Sequence, residues 1–224
     1  MDIHIINTGI SSSYLIRDHG SVLIDAGVPG RIQKFEKRLK DLQIDPEDIN
    51  AIIITHCHWD HVGCLKGLKE LTGAKVMVHQ NEKDLLEKGT LKIPPPVTRW
   101  GKTMHFLLKG MGRTMSTEPN KVDVIIGDEG LSLEEYGIPG DIIFTPGHSL
   151  GSISIVLDSG DAFVGDSAMN KFPLTIKPNL PIFAEDEAAL KESWKKLIRK
   201  GAKIVYPGHG GPFSVEKVIE KAEL

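Results

Sequence analysis

The sequence is poor in cysteine, in net charge and in long apolar runs, and each shortage argues against a class of protein. Cys57 and Cys64 are the only two cysteines, so a fold held together by disulfides is not expected. The formal net charge of -3 gives no general attraction to nucleic acid or to an anionic membrane. No apolar run approaches the roughly 20 residues of a membrane-spanning helix. We therefore expect neither nucleic acid nor a membrane as partner.

What remains is the composition of one globular domain. Of the 224 residues, 40% are hydrophobic, which is enough to bury a sizeable core. No seam between two smaller domains is visible, so residues 1–224 are predicted to form a single domain. The first residues run directly into a strand pattern without a basic and apolar signal region, and we expect a cytoplasmic protein.

The H-C-H-W-D-H run at 56–61 carries most of the functional information. It places three imidazoles and one carboxylate within six residues, directly after an apolar strand pattern. Neutral imidazole and carboxylate groups are ordinary protein ligands of zinc and iron. So many polar groups in one short loop would be costly to bury without such a ligand role. The run therefore predicts a transition-metal site.

Three later residues offer further ligands of the same chemical types. His148, Asp166 and His209 each have a glycine as immediate neighbour, and each follows a strand-like apolar run. Every proposed ligand is therefore expected just beyond the end of a strand. Glycine allows a sharp turn there, so that loops from different strands can converge. The pattern predicts a cup of ligands built by several strand ends.

The apolar periodicity predicts an α/β protein with two similar halves. Strands are expected over residues 3–6, 13–17, 22–25, 51–55 and 75–79, then over 123–126, 131–133, 142–145, 152–158, 162–165 and 203–206. Helices are expected over 30–42, 62–71 and 186–200. Because these helices have mixed apolar and charged faces, they should cover the outer sides of two mixed β-sheets. The expected fold is a four-layer αββα sandwich.

In the order and setting of its ligands, the chain resembles the metallo-β-lactamase-fold superfamily of hydrolases. The resemblance spans nearly the whole chain and rests on the turn at Asp25, the 56–61 run, His148, Asp166 and His209. In size the chain is most similar to the small single-domain branch that contains lactonase-like and glyoxalase-like enzymes. The superfamily fold is the sandwich that the periodicity also predicts.

The resemblance implies a site with two divalent metal ions. The first metal would be bound by His56, His58 and His148, and the second by Asp60, His61 and His209. Asp166 would bridge the two metals. Asp25 would not bind a metal but would hold the ligand loop by outer hydrogen bonds. Zinc is the expected metal, with iron or manganese as alternatives.

Such a site implies a hydrolase in which a metal-bridging hydroxide attacks an ester, a lactone or a thioester. Asp60 would also act in catalysis, by orienting the hydroxide or by carrying a proton to the leaving group. Two alternatives stay open. One is a sulfur (persulfide) dioxygenase with a single iron, and the other is a non-enzymatic sensor of a metal or a ligand.

Two segments outside the repeated pattern are candidates for choosing the substrate. In the segment at about 89–119, three consecutive prolines are followed by apolar residues at helical spacing. This segment is expected to form either a wall or lid of the substrate pocket, or an interface in a homodimer. The segment over 169–185 carries lysines that could meet an anionic group of the substrate. We expect a small-molecule substrate, and the candidate contacts are Trp59, Met104, Leu108, Met111, Lys171 and Lys177.

The remaining histidines and Cys57 are expected to play no part in metal binding. His4, His19, His79 and His105 lack the turn and glycine setting of the proposed ligands. Cys57 should point away from its neighbours and be an inert thiol. Three branches of the superfamily are also not expected: exported antibiotic-degrading enzymes, nucleic-acid-processing enzymes with an added domain, and glyoxalase II types with a C-terminal glutathione-binding domain.

Overall fold

Two mixed β-sheets pack face to face and helices cover their outer sides, so the predicted four-layer αββα sandwich is confirmed. The computed structural model describes residues 1–90, 93–110, 117–175 and 178–222, and the side chains of 108–110 and 221–222 are not described. Within these residues, no helix has the length and apolar character needed to cross a membrane.

The first sheet contains six strands in sequence order: β1 (Asp2–Asn7), β2 (Ser12–Arg17), β3 (Ser21–Ile24), β4 (Ala51–Ile53), β5 (Lys75–His79) and β6 (Val124–Ile126). Strands β1 to β3 pair antiparallel, and β3 to β6 pair parallel. Parallel neighbours need crossover connections. The crossovers contain α1 (Ile32–Asp41), α2 (Trp59–Val62), α3 (Leu65–Thr72), α4 (Gln80–Lys88) and α5 (Arg99–Gly110).

The second sheet is mostly antiparallel and also follows the sequence order. It contains β7 (Leu131–Ser132), β8 (Gly140–Phe144), β9 (Ile153–Leu157), β10 (Asp161–Asn170), β11 (Ile204–Gly210) and β12 (Phe213–Ser214). Strands β10 and β11 pair parallel, and α6 (Glu187–Arg199) connects them. Helix α7 (Glu216–Ala222) follows β12, and short 3₁₀ turns lie at Pro46–Asp48 and Glu134–Tyr136.

Each of the three interfaces between layers has its own apolar cluster. Along β3, Leu23 faces the helices of the first layer, whereas Val22 and Ile24 face the second sheet. This alternation follows from the two-residue period of a strand. On the other side of the molecule, Trp194 of α6 is fully buried against the outer face of the second sheet. The sequence period therefore sorts side chains between the outer and central layers.

The helix predicted over residues 62–71 is interrupted near its start. Residues 62–71 were expected to be continuous, but α2 ends at Val62 and α3 begins at Leu65. The intervening Gly63 and Cys64 donate their backbone N–H groups to the carbonyls of Gly27 and Ala26. These hydrogen bonds tie the ligand loop to the turn after β3 and interrupt the helical pattern between α2 and α3.

Two of the predicted strand ends are wrong in a way that affects the site. Strand β10 was expected to stop at residue 165 and β11 at residue 206, but both continue past Asp166 and His209. The β10–β11 register shifts between Phe163 and Gly165 and again before Met169. Such irregularities redirect side chains without ending a strand. Asp166 and His209 therefore lie inside strands and not in turns beyond them. Helices α4 and α7 and strand β12 were not predicted.

Candidate metal centre

All seven proposed ligands converge in one region of the molecule, although they come from distant parts of the chain. The loop after β4 and the short α2 supply four of them, the loop between β8 and β9 supplies one, and β10 and β11 supply one each. All except the half-buried His58 are buried. They are His56, His58, Asp60, His61, His148, Asp166 and His209.

The ligand atoms fall into two adjoining groups. The first group, His56, His58, His148 and Asp166, offers atoms that all lie within 4.8 Å of one another. The second group, Asp60, His61 and His209, meets the same limit. Asp166 lies at the boundary: its Oδ1 is 3.2 Å from His61 Nε2 and its Oδ2 is 3.1 Å from His209 Nε2. This division matches the two ligand sets that the sequence resemblance implies.

In three of the ligand histidines, the Nδ1 atom is held by a hydrogen bond to a neighbouring group. His61 Nδ1 donates to Asp25 Oδ2 at 2.8 Å, His148 Nδ1 donates to the Phe183 carbonyl at 2.9 Å, and His209 Nδ1 donates to the Ile10 carbonyl at 2.8 Å. With Nδ1 carrying the hydrogen, the Nε2 atom is the one free to bind a metal. Such outer hydrogen bonds fix the tautomer and the ring orientation of a metal-binding histidine.

Asp25 lies where the sequence predicted it, beside the ligands but outside both groups. Besides His61, its carboxylate accepts hydrogen bonds from the Thr55 backbone N–H at 2.8 Å and from the Thr55 hydroxyl. Its φ of 60° is in the left-handed region, which aspartate tolerates better than most residues. This backbone conformation places the Asp25 carboxylate where it contacts both Thr55, just before the ligand loop, and His61 at its end.

Close packing between the strands leaves room only for glycine at position 208. A Cβ atom there would lie 2.5 Å from Asp166 Oδ1 and 2.5 Å from His61 Cε1. Both distances are far shorter than van der Waals contact. Gly208 is therefore required for His61 and Asp166 to approach each other, which explains one of the glycines next to the ligands.

The residues fit divalent metal ions. His56 Nε2 is buried and makes no hydrogen bond within the described residues, and the buried His61 Nε2 and Asp166 Oδ1 atoms have only each other, at 3.2 Å. Leaving a buried polar atom without a partner is costly, and a metal ion would supply the missing interaction. Imidazole nitrogens with a few carboxylate oxygens are the donor set of zinc, iron and manganese sites.

Comparison with known proteins decides the family. A family model described as the metallo-beta-lactamase superfamily matches residues 6–209. The chain belongs to the metallo-β-lactamase superfamily. The match includes all seven of the proposed ligands, and it confirms the resemblance on which the site was predicted.

Several members of this superfamily are similar over most of the chain. The metallo-beta-lactamase fold-containing protein ST1585 of Sulfurisphaera tokodaii is 30% identical over 203 residues, which are 90% of this chain and 72% of that protein. Its crystal structure superposes with a TM-score of 0.68 at 27% identity, covering 96% of this chain and 82% of that chain. The probable metallo-hydrolase MJ0888 of Methanocaldococcus jannaschii is 29% identical and covers 89% of this chain and 87% of its own length.

One relative has a named substrate class, over a shorter match. The hydroxyacylglutathione hydrolase of Pelagibacter ubique is 28% identical over 156 residues, which are 69% of this chain and half of that protein. Two of these three relatives are named as hydrolases, which supports a hydrolase activity in general for this superfamily member.

The histidines of the first group are held neutral. Burial lowers the pKa of His56 well below its ordinary value, and the neighbouring imidazoles of His61 and His58 lower it further. Burial, followed by the nearby His148 ring, lowers the pKa of His58 to about 3. Burial also lowers the pKa of His148. At neutral pH these three imidazole rings are therefore neutral, and each has one unprotonated nitrogen with which to bind a metal.

The histidines of the second group are in the opposite state. Burial disfavours their charged form, but the surrounding carboxylates outweigh it, led by Asp166 for both rings. The pKa of His61 is raised well above its ordinary value, and that of His209 is raised to about 10. Burial would raise the pKa of Asp166, but His209 and His61 together hold it well below the usual range. Without a metal, this group is a network of protonated imidazoles and carboxylates.

A cavity of about 250 Å³ opens beside both groups and contains several of the predicted substrate contacts. Trp59, Met104 and Lys171 line it, together with five of the proposed ligands. Lys171 does not project freely into the cavity, since its ammonium group donates to the carbonyls of Gly9 and Ile10. The Leu108 side chain, Met111 and Lys177 lie outside the described residues.

The residues predicted to be inert are outside both ligand groups. His79 is buried, stacks on Phe144 with 4.1 Å between ring centroids, and caps α4 through Nδ1. His4, His19 and His105 belong to neither group. Cys57 is buried, and burial raises the pKa of its thiol well above the ordinary value, so it does not ionise near neutral pH.

Sequence reasoning missed the groups that support the ligands. The carbonyls of Ile10 and Phe183 carry no residue-type signal, because any residue offers a carbonyl. Glu82 on α4 is buried, and its carboxylate accepts hydrogen bonds from two ligand loops. A charged residue in a helical pattern would ordinarily be assigned to the solvent-facing side. Only the packed structure reveals these roles.

Proposed function

We propose that the protein is a binuclear metal-dependent hydrolase that cleaves carboxylic ester, lactone or thioester bonds. The observation that carries the proposal is the position of Asp166 between two complete ligand groups, 3.2 Å from His61 and 3.1 Å from His209. A site for a single metal would leave the second group, Asp60, His61 and His209, without a purpose. Burying several ionisable side chains without a ligand is expensive.

The proposed cofactors are two divalent cations, zinc first, with iron or manganese as alternatives. His56, His58 and His148 would hold the first, Asp60, His61 and His209 the second, and Asp166 would serve both. When bound, such cations lower the pKa of a shared water and polarise the carbonyl that it attacks.

The side chains around the site would orient the substrate and carry protons. Asp60 lines the cavity, and its Oδ2 is 3.3 Å from His209 Nε2. Burial would raise the pKa of this carboxyl, but His61 and His209 lower it, so Asp60 is ionised at neutral pH. An ionised Asp60 can accept the proton released by the attacking water at its Oδ2 atom. It can then return that proton to the leaving alcohol or thiol.

The names of the relatives support hydrolysis, and one of them supports the thioester class. One of them is named as a hydrolase of hydroxyacylglutathione, and others are named as probable metallo-hydrolases. The proposed partner is accordingly a small-molecule acyl substrate, without nucleic acid or a membrane. Homodimer formation and a cytoplasmic location are further parts of the proposal.

Metal content together with a substrate panel tests this function. Protein purified without chelator should contain about two metal ions per chain, measured by plasma mass spectrometry. It should then hydrolyse members of a panel of p-nitrophenyl esters, lactones and S-acyl thiols faster than a panel of phosphodiesters. The matched control is His105→Ala, on α5 and outside both ligand groups, which should keep the wild-type metal content.

Two results would contradict the proposal. One iron per chain, with oxygen consumed in the presence of glutathione persulfide, would identify the sulfur dioxygenase instead. Full metal loading without turnover of any substrate in the panel would favour the non-enzymatic sensor.

A further inference from the structure

The cavity beside the ligands has mostly apolar walls. Five proposed ligands form its polar part, while the remaining lining comes from several segments of the chain. The apolar lining includes Ile10, Trp59, Met104, Met169, Phe172 and Phe183. A pocket in which apolar walls surround a few polar groups is typical of small-molecule sites.

Lys171 is the one lysine or arginine among the described residues that line the cavity. Its Nζ atom donates to the Gly9 carbonyl and, at 3.3 Å, to the Ile10 carbonyl. The ammonium group therefore fixes the loop whose Ile10 carbonyl also anchors His209. Because this charge is already paired with backbone dipoles, it is poorly placed to bind a substrate carboxylate.

We propose that the cavity takes the unbranched, uncharged acyl chain of an ester or thioester, which rests on the hydrolase function proposed above. The chain would lie between Met104 and Phe172, with its carbonyl carbon beside the ligand groups. Hydrolysis adds one water: the acyl carbon gains an OH group from it, the bond to the leaving oxygen or sulfur breaks, and the leaving group takes up the other hydrogen as a proton. The cavity volume of about 250 Å³ corresponds to roughly eight water-sized groups, so a medium-length chain would fill it.

Two features of the walls favour a flexible alkyl chain over a rigid ring. Met104 and Met169 are unbranched and adapt their shape to the ligand. Phe172 is 76% exposed at the rim, so it has apolar surface available for a bound chain to cover. Covering that surface should favour longer chains until the cavity is full.

A chain-length series tests the proposal. For p-nitrophenyl esters from acetyl to decanoyl, kcat/KM should rise by about fourfold for each added methylene, and should level off once the cavity is full. Met104→Glu and Phe172→Glu should each flatten this rise, because a charged wall disfavours a bound alkyl chain. Phe172 is exposed, so its variant should fold even if the Met104 variant does not. The matched control is Phe106→Glu, on the same helix as Met104 but 78% exposed and outside the cavity lining.

Alkyl methyl ketones carry an alkyl chain and a carbonyl but cannot be hydrolysed. Their binding, measured by calorimetry, therefore tests the acyl pocket separately from the hydrolase activity. Affinity that rises with chain length, without hydrolysis of any ester, supports the acyl pocket and removes the hydrolase. Hydrolysis whose rate does not depend on chain length, or that is faster for succinyl than for butyryl esters, overturns the acyl pocket and leaves the hydrolase standing.

A second inference rests on a different observation, the buried Glu82 of α4. This side chain is 3% exposed, and its two carboxylate oxygens serve different loops. Glu82 Oε2 accepts from the Cys57 backbone N–H at 2.9 Å, and Oε1 accepts from the Ser149 hydroxyl at 2.7 Å. Cys57 lies between the ligands His56 and His58, and Ser149 directly follows His148. One carboxylate thus joins both loops that supply the histidines of the first group.

The surrounding structure is shaped to admit this carboxylate. A Cβ atom at position 151 would lie 2.4 Å from Glu82 Cγ, so Gly151 leaves the space that Glu82 occupies. The Cys57 thiol also donates to the Glu82 backbone carbonyl at 3.6 Å. Charge-assisted hydrogen bonds of a buried carboxylate are stronger than those between neutral groups.

We infer that Glu82 is a positioning residue, which sets the spacing of the three histidines for the first metal. It belongs to neither ligand group and does not line the cavity, and it acts through the Cys57 amide and the Ser149 hydroxyl. Partners of this kind that support metal ligands typically change metal affinity by about 10- to 100-fold when removed.

Zinc affinity and the visible spectrum of the cobalt-substituted protein test this role. Glu82→Ala should weaken the tighter zinc equivalent by about 10- to 100-fold in a chelator competition and alter the cobalt absorption bands. Glu82→Gln should restore most of both, because its oxygen can accept from the Cys57 amide while its amide donates to the Ser149 oxygen. The control is Asp84→Ala, an exposed carboxylate of the same helix whose ion pair is with Lys88.

If Glu82→Ala does not fold, Glu82→Gln and Ser149→Ala carry the test, and Ser149→Ala should weaken zinc binding in the same direction. A lowered melting temperature of the metal-free variants, with zinc affinity and cobalt bands like those of the wild type, would overturn the inference.

Discussion

The two ligand groups use the same kinds of side chain in contrasting surroundings. In the first, three imidazoles are buried mainly with one another, and their pKa values are lowered. In the second, two imidazoles are buried among the carboxylates of Asp60, Asp166 and Asp25, and their pKa values are raised. The first group is ready to bind a metal at neutral pH, whereas the second must exchange protons for the metal. Identical residue types therefore acquire different chemistry from their neighbours.

Removing the shared carboxylate should have the largest effect, because Asp166 belongs to one group and contacts the other. In Asp166→Ala, both metal equivalents should be lost or strongly weakened, and kcat/KM should fall by more than the roughly 100-fold expected for an outer partner. Plasma mass spectrometry and ester hydrolysis measure the two effects. Full loading with normal activity would break the assignment of Asp166 as the bridge.

Removing one histidine from each group tests whether the groups are separate sites. His58→Ala should lose the metal ion of the first group, and His209→Ala should lose the ion of the second group. Each variant should therefore keep a single ion. Cobalt spectra of the two variants should differ, since the remaining ligand sets differ. If either variant lost both ions, the two groups would form one indivisible site and the comparison would fail.

A smaller effect is expected from Asp25→Asn, which changes an anchor and keeps all seven ligands. Asparagine tolerates the left-handed backbone, so the fold should persist. The neutral amide would hold His61 Nδ1 less strongly than the carboxylate does at 2.8 Å. Zinc affinity of the second group should weaken by about 10- to 100-fold, with little change at the first. Equal weakening at both groups would show that Asp25 supports the whole ligand loop.

An effect that needs no mutation concerns the protons released as the metals bind. His209, with a pKa of about 10, is protonated at pH 7.5 in the metal-free protein, whereas His58, with a pKa of about 3, is not. Affinity of the second group should therefore rise with pH up to about 10, by up to about tenfold per pH unit for each proton displaced. Affinity of the first group should change much less over the same pH range, because the pKa values of its histidines are lowered and the rings are already neutral.

Calorimetry in two buffers of different ionisation enthalpy counts these protons. Proton release should accompany loading of the second group and should be smaller in His209→Ala. The same proton count in the wild type and in His209→Ala would contradict the difference between the groups.

Much of the fold followed from local patterns. The strand at Lys75–His79 was predicted with its observed bounds, and the helix at 186–200 matched α6 to within one residue at each end. These segments have clear apolar periodicity and, for α6, the capping side chain of Asp186. The break between α2 and α3 was not predictable, because it depends on hydrogen bonds to a turn that lies more than 30 residues earlier in the chain.

The ends of β10 and β11 were also beyond local prediction. Glycine next to Asp166 and His209 was interpreted as the end of each strand, but the parallel pairing continues through an irregular register. Glycine in a strand often marks a bulge or a close approach of two backbones. Gly208, where a side chain would collide with His61 and Asp166, is such a close approach.

The sequence by itself determined the fold class and the identity of the seven candidate ligands, because apolar period and ligand chemistry are properties of residue types at fixed spacing. Only the tertiary structure decided how those ligands are supported and charged. The carbonyls of Ile10 and Phe183 orient His209 and His148, and the Glu82 carboxylate joins two ligand loops. These contacts, like the opposite pKa shifts of the two groups, depend on which distant segments pack together, and no local pattern records that.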